Sequence, residues 1–250
     1  MQFSAPAGTV FLGQNVGANG FDTVDSDADV TTGKTQIVTL AQGEHNPTLD
    51  AGVYAPAKLS GYVKKDVGND GVRNSEPAIA GVVLTLTGTN GLGQPVTATA
   101  TTDANGFYQF INLAPGTYTV SEAQPAGFID GKDTVGSTGG SNAVNDVLSG
   151  ITLGSGANSV ENNFGEIVTA SLGDRLWTDT NGDGKQTTGE VGIVGATVTL
   201  IGGGADGLIN GIGDTTATTT TGADGIYNFA GLTPGQQYQV QFSAPAGTVF

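Results

Sequence analysis

The ten residues Gln2–Phe11, QFSAPAGTVF, return unchanged as Gln241–Phe250, 239 residues further along the chain. Identity over that length marks a true repeat, and a repeat at fixed spacing restricts the chain to an array of like units. The spacing predicts that this window holds one full period of a longer array plus an overlap, and that it opens and closes inside a unit. A weaker repeat at about half the period subdivides it. TTDANGFYQFINLAPGTYTV (101–120) resembles TTGADGIYNFAGLTPGQQYQV (220–240), and EPAIAGVVLTL (76–86) matches EVGIVGATVTL (190–200). The expected organisation is therefore a complete module over 58–168, the N-terminal part of a second over 169–250, and the C-terminal part of one over 1–57.

The matching segments alternate apolar and polar residues with period two, as a strand with one buried face requires. Gly, Asn, Asp and Pro interrupt them every 8 to 12 residues, and the 42 glycines supply turns rather than helices. Hydrophobic residues make up 37% of the chain, enough for a packed core. These features predict an all-β fold of tandem antiparallel β-sandwich modules with almost no helix. A partial module would leave sheet edges unpaired, so neighbouring copies of the same module or chain are the expected partners, in the limit as a head-to-tail filament.

Acidic residues outnumber basic ones by 23 to 8, for a net charge of −15. A polyanion would be repelled, which excludes nucleic acid as a partner. The same excess destabilises a compact state unless cations offset it, which directs attention to calcium. Cys is absent, so no disulfide reinforces the modules. No apolar run has the length of a membrane span, and the opening MQFSAPAGTVF lacks the basic start and apolar stretch of a signal peptide. Any export signal is expected outside this window.

Residues 179–190, DTNGDGKQTTGE, match D-x-[DN]-x-[DN]-G-x5-E, the twelve-residue calcium loop. A hard cation takes six to eight oxygens. Asp179, Asn181 and Asp183 offer them at alternate positions, Gly184 allows the sharp turn, the carbonyl of Lys185 adds another, and Glu190 closes the set. The flanking segments SLGDRLW and GIVGATVTL read as strands, so the loop is expected on a β scaffold. The corresponding stretch of the complete module, DVGNDGVRNSE (66–76), keeps Asp66, Asn69, Asp70 and Glu76 but is one residue shorter and has Gly68 at the third position. It reads as a weaker calcium loop or as a solvated turn. The cluster Asp25, Asp27 and Asp29 reads as a solvated acidic loop or a further ligand set.

The segments SLGDRLWTDTNGDGKQTTGEVGIVGATVTL, TTDANGFYQFINLAPGTYTVSEAQPAGF, TLDAGVYAPAKLSGYV and NNFGEIVTASLGDRLW together resemble the B-type repeats of bacterial serine-aspartate surface proteins. More broadly they resemble collagen-adhesin B-type domains. The resemblance covers nearly the whole chain. It implies immunoglobulin-like or transthyretin-like sandwiches, stabilised by Ca2+, acting as spacers in an extracellular or bacterial cell-surface protein. It makes the turns around Asp103 and Asp224 candidates, together with Asp206, Asn210 and Asp214 in the insertion GGGADGLINGIGD, where ordinary Asx turns compete with a metal. It also raises an isopeptide bond from Lys64 or Lys65 to Asn162 or Asn163 beside Glu122, although two adjacent lysines equally suit a solvated strand end.

Catalytic parts are missing. There is one His and no Cys, and neither a nucleophile elbow nor a phosphate loop appears. The paired carboxylates have turn spacing, which suits cation ligation better than glycosidase chemistry. His45 reads as a loop residue. Trp177, Phe107, Tyr108, Phe110, Tyr227 and Phe229 serve either as alternating core aromatics or as a sugar platform. The leading expectation is thus a structural repeat of a calcium-stabilised stalk, adhesin or filament, and not an enzyme. Its alternatives are a surface module binding a host protein or polysaccharide, and a sandwich appended to an extracellular hydrolase.

Overall fold

The structure is a computed structural model and describes residues 1–14 and 25–243. The second copy of the decapeptide lies outside the described residues from Ala244 onward. Two compact units are present, one of residues 1–125 and 130–166, the other of residues 126–129 and 167–250.

In the first unit a short antiparallel pair, β1 (Val10–Phe11) and β2 (Val53–Tyr54), precedes a sandwich. The sandwich strands are β3 (Ala57–Lys65), β4 (Val83–Asn90), β5 (Pro95–Thr101), β6 (Phe107–Leu113), β7 (Gly116–Glu122), β8 (Phe128–Asp130), of which Asp130 belongs to this unit, β9 (Ser141–Val144), β10 (Val147–Leu153), β11 (Asn158–Ser159) and β12 (Phe164–Val168), which belongs to it through Glu166. One sheet has the order β5-β4-β7-β10-β9. In the other, β6 pairs antiparallel with β3, whose opposite edge is taken in parallel by β11 and then by β12, with Phe164 opposite Val63 and Glu166 opposite Lys65.

Alternation decides which side chains face inward. Leu84 and Leu86 of β4, Tyr118 and Val120 of β7 and Leu148 and Ile151 of β10 are buried from one sheet. Leu59, Val63, Tyr108, Phe110 and Phe164 are buried from the other. Tyr108 packs edge-on against Phe110 at 5.9 Å. Close strand contact depends on Gly61: a Cβ there would lie 1.6 Å from the Asn162 carbonyl oxygen, the same oxygen that accepts the Tyr108 hydroxyl at 2.7 Å.

The second unit contains β13 (Ala170–Arg175), β14 (Thr197–Gly202), β15 (Thr215–Thr220), β16 (Ile226–Leu232) and β17 (Tyr238–Phe242). The pairings β13-β16 and β15-β14-β17 reproduce β3-β6 and β5-β4-β7. Its core gathers Val198, Leu200, Tyr227 and Phe229, flanked by Leu172, Leu232, Val240 and Phe242. Helix among the described residues is confined to single 3-10 turns at Gly204–Asp206 and Ala223–Gly225.

The same packing devices recur in each unit and mark the two as repeats. Thr102 donates to the Ile79 carbonyl at 2.8 Å and accepts from the Val82 N–H at 2.9 Å, and Thr221 does the same with Ile193 and Ala196 at 2.6 and 2.9 Å. Tyr118 caps the Ala114 carbonyl at 2.6 Å, and Tyr238 caps that of Thr233 at 3.1 Å. Buried tyrosines keep such hydrogen bonds because an unpaired hydroxyl is costly. Four aromatics of β6 and β16 are core residues, Tyr108, Phe110, Tyr227 and Phe229, all buried, whereas Phe107 is half-buried.

Candidate metal centres

The loop at 179–190 leaves β13 through Trp177, which bridges to Gly192, so it lies on a strand scaffold as its flanks predict. The Gly184 N–H donates to Asp179 Oδ2 at 2.8 Å and the Gly182 N–H to Oδ1 at 2.7 Å. Both glycines have positive φ, 71° and 72°, a conformation that disfavours side chains. Asn181 Oδ1 accepts from the Asp183 N–H and Asp183 Oδ1 from the Lys185 N–H, so successive Asx turns curl the loop. Glu190, buried at the loop's end, accepts from the N–H groups of Thr180 and Thr187. The backbone N–H of Gly184, followed by that of Gly182, holds the Asp179 carboxyl below its ordinary value.

The shorter loop of the first unit is built alike around a different centre. Asp66 accepts from the N–H groups of Asp70 and Gly71 at 3.0 and 2.7 Å, and Asn69 has a φ of 47°. Oxygens of Asp66, Asp70 and Glu76 lie within 4.8 Å of one another. Among them sits the Lys64 ammonium, 2.7 Å from Glu76 and 3.3 Å from Asp66, with both Lys64 and Asp66 buried. Burial acts to raise the Asp66 carboxyl, but the Gly71 and Asp70 N–H groups and the Lys64 ammonium outweigh it and hold it low. Lys64 bridges to Ala78 as Trp177 does to Gly192, so the two side chains hold equivalent positions. The first unit's loop thus carries a cation of its own.

Other predicted residues form turns. Asp206 accepts from the Leu208 and Ile212 N–H groups, and Asp214 from that of Asn210, all on an exposed insertion. Asp103 accepts from the Asn105 and Phe107 N–H groups. Asp29 closes a turn with Thr31 and Thr32, whereas Asp27 is fully buried and accepts from Gln36 and the Asp50 N–H. His45 is exposed.

The constellation of Lys64, an asparagine and Glu122 is not assembled. Lys64 is held by Glu76 and Asp66. The Asn162 amide donates to the Ser60 carbonyl and Ser159 Oγ, and that of Asn163 to Glu161.

Glu122 instead belongs to a carboxylate cluster that sequence reasoning missed. It stands at the end of β7, with Asp130 at the end of β8, Asp133 in the following loop, Asp146 in the β9–β10 turn and Glu166 in β12. Glu166 is 0% exposed and Glu122 9%. Desolvation, reinforced by the neighbouring carboxylates, pushes Glu122 up to about 9 and Asp130 to about 6. Desolvation likewise takes Glu166 to about 8 and Asp133 to about 7, against hydrogen bonds from Gln124 and the Gly165 N–H respectively. The available signals were a Glu inside the strand pattern TVSEA and another inside NNFGEIV. Asp130, Asp133 and Asp146 had the look of ordinary turn residues.

The SdrD B-like domain model matches residues 57–165 and 170–250, the two stretches that carry the repeated strand pairings. The chain belongs to the SdrD B-like domain family. Serine-aspartate repeat-containing protein D of Staphylococcus aureus (strain MW2) is 33% identical over 99% of the chain, and protein F of Staphylococcus epidermidis 37% identical over 80%. The chain spans only 17% and 11% of their lengths. A streptococcal ancillary pilin aligns over 98% of this chain and 69% of its own, at 15% identity and a TM-score of 0.37. SdrD B-like domains are structural, non-enzymatic modules, so this chain is a structural repeat and not an enzyme.

Proposed function

We propose that this chain is a repeat unit of an extracellular, calcium-stabilised stalk, adhesin or filament on a bacterial surface, with further copies of the same module as its neighbours. The observation that carries the calcium reading is the 179–190 loop. It matches the calcium-loop pattern at every specified position, and its sixth-position N–H closes onto its first-position carboxylate. The net charge of −15 adds a global reason for bound cations to favour the compact state. The repeated decapeptide and the repeated strand pairings support the array.

Ligand linkage gives the size of the effect. Calcium at a hundredfold excess over its dissociation constant stabilises the native state by about 2.7 kcal/mol. Thermal unfolding of the full chain is expected to show a midpoint several degrees higher in calcium than in excess chelator. The Asp183→Ala, Glu190→Ala variant is expected to lose the part of that rise that the loop supplies. A variant that keeps the whole calcium response would remove the metal role of this loop.

A further inference from the structure

We propose that two copies of this chain join head to tail through one shared sandwich, the segment 25–54 of one copy completing the second unit of the other; this rests on the reading above that like copies are neighbours. The segment is already folded as the C-terminal half of a module, because it repeats the hydrogen bonds that close the first unit. The Asp27 N–H donates to the Asp50 carbonyl at 3.0 Å, where Thr134 donates to Asn163 at 2.8 Å. Phe3 donates to Gly33 at 2.7 Å as Glu122 does to Asp146 at 2.9 Å, and Gln2 bridges Lys34 as Ser121 pairs with Val147. Glu44 closes a turn onto Ala41 at 3.1 Å, as Ala157 does onto Gly154, each turn holding one glycine of positive φ, Gly43 or Gly156. Counting back from those glycines makes Val38 and Leu40 the counterparts of Ile151 and Leu153.

The second unit holds the other half. Among the described residues β17 pairs only with β14 and β13 only with β16, whereas their counterparts β7 and β3 also pair with β10 and with β11 and β12. Burial follows the pairing. Leu59, Tyr118 and Val120 are no more than 1% exposed, but Leu172, Tyr238 and Val240 in the same places are half-buried. On the other half, Leu153 is 1% exposed and Leu40 54%. The register of β10 on β7, carried over to β17, sets Thr35 opposite Val240, Val38 opposite Tyr238 and Leu40 opposite Gln236. Gln236 and Tyr238 line an open cleft of about 590 Å³ with Leu200 and Leu232, so Leu40 is placed to fill it.

Docking replaces one existing pairing by its duplicate. Gln2 and Phe3, beside Lys34 in its own copy, recur as Gln241 and Phe242 at the end of β17, and the exchange of identical segments between copies is a low-cost route to association. What is gained is apolar burial at Val38, Leu40, Tyr238 and Val240 and a ladder along open strand edges. Each contact joins unlike halves, so a pair still offers one half of each kind and growth is open-ended.

The test is sedimentation velocity of the full chain at increasing concentration. The unaltered protein is expected to associate beyond a monomer, and Leu40→Asp, which changes an exposed side chain, to lose that association. An unaltered protein that stays monomeric overturns the proposal, while a calcium-dependent melting midpoint in the same preparation would leave the stalk reading standing. Association that Leu40→Asp does not weaken overturns it too. Register is read by disulfide trapping, for which the chain has no Cys of its own. Lys34→Cys mixed with Gln241→Cys under oxidation is expected to give a covalent dimer, both positions being exposed and paired in this register. Ile37→Cys mixed with Gln241→Cys is expected to give none; equal trapping by the two mixtures, or dimers of Lys34→Cys with itself alone, overturns the proposal.

Discussion

Lys64 and Trp177 occupy the same place in two copies of one module, yet they leave their loops in different electrostatic states. Lys64 brings a fixed ammonium to within 2.7 Å of Glu76, in a site too buried for water to screen the pair. Removing one partner of a buried pair leaves the other charge uncompensated, at a cost of about 3 kcal/mol or more. Lys64→Met is therefore expected to lower stability by about that amount in chelator, measured by urea denaturation. Added calcium should restore part of the loss, because the emptied loop then matches its Trp177 counterpart; a variant indifferent to calcium would show that Asp66, Asp70 and Glu76 cannot replace the ammonium with a metal. Lys64 was not legible in the sequence as an ion-pair centre. KK at a strand end has the pattern of a solvated terminus, and only the backbone fixes which lysine turns inward. The Asx turns of the 179–190 loop were legible because Asp, Asn and Gly at that spacing carry their turn chemistry locally.

At the level of strands, legibility follows sequence separation. The hairpin β4–β5 and the strand β7 announce themselves through alternation and turn residues, and the register of β4 with both neighbours is regular along its length. The parallel addition of β11 and β12 to β3 joins segments about a hundred residues apart, and nothing in NNFGEIV states its partner. The buried carboxylate cluster stayed hidden for the same reason, since its members come from β7, β12 and the stretch between and meet only after the sheets have packed. Gly61 marks where this non-local contact is tightest. Gly61→Ala is expected to cost about 3 kcal/mol in urea denaturation, because the new methyl meets backbone carbonyl rather than a movable side chain. A loss under about 0.5 kcal/mol, the ordinary range for a harmless surface change, would mean that β3 can separate from the Asn162 segment without penalty.

Over the whole molecule, the half-period repeat of the sequence reappears as duplicated strand pairings, duplicated threonine clasps and duplicated tyrosine caps. The parallel neighbours β3 and β12 have one more consequence. A chain under tension would draw the start of β3 and the end of β12 in opposite directions along their own axes. Hydrogen bonds that cross between them are then sheared together rather than peeled one at a time. In single-molecule extension, the sandwich pulled through the start of β3 and the end of β12 is expected to give way at a higher force than when pulled through the ends of the β4–β5 hairpin. Forced rupture is governed by the unfolding rate, so equal forces in the two directions would mean that the β3–β12 contact contributes nothing to the barrier. The geometry makes this module a mechanical clamp whose strength depends on the direction of pull.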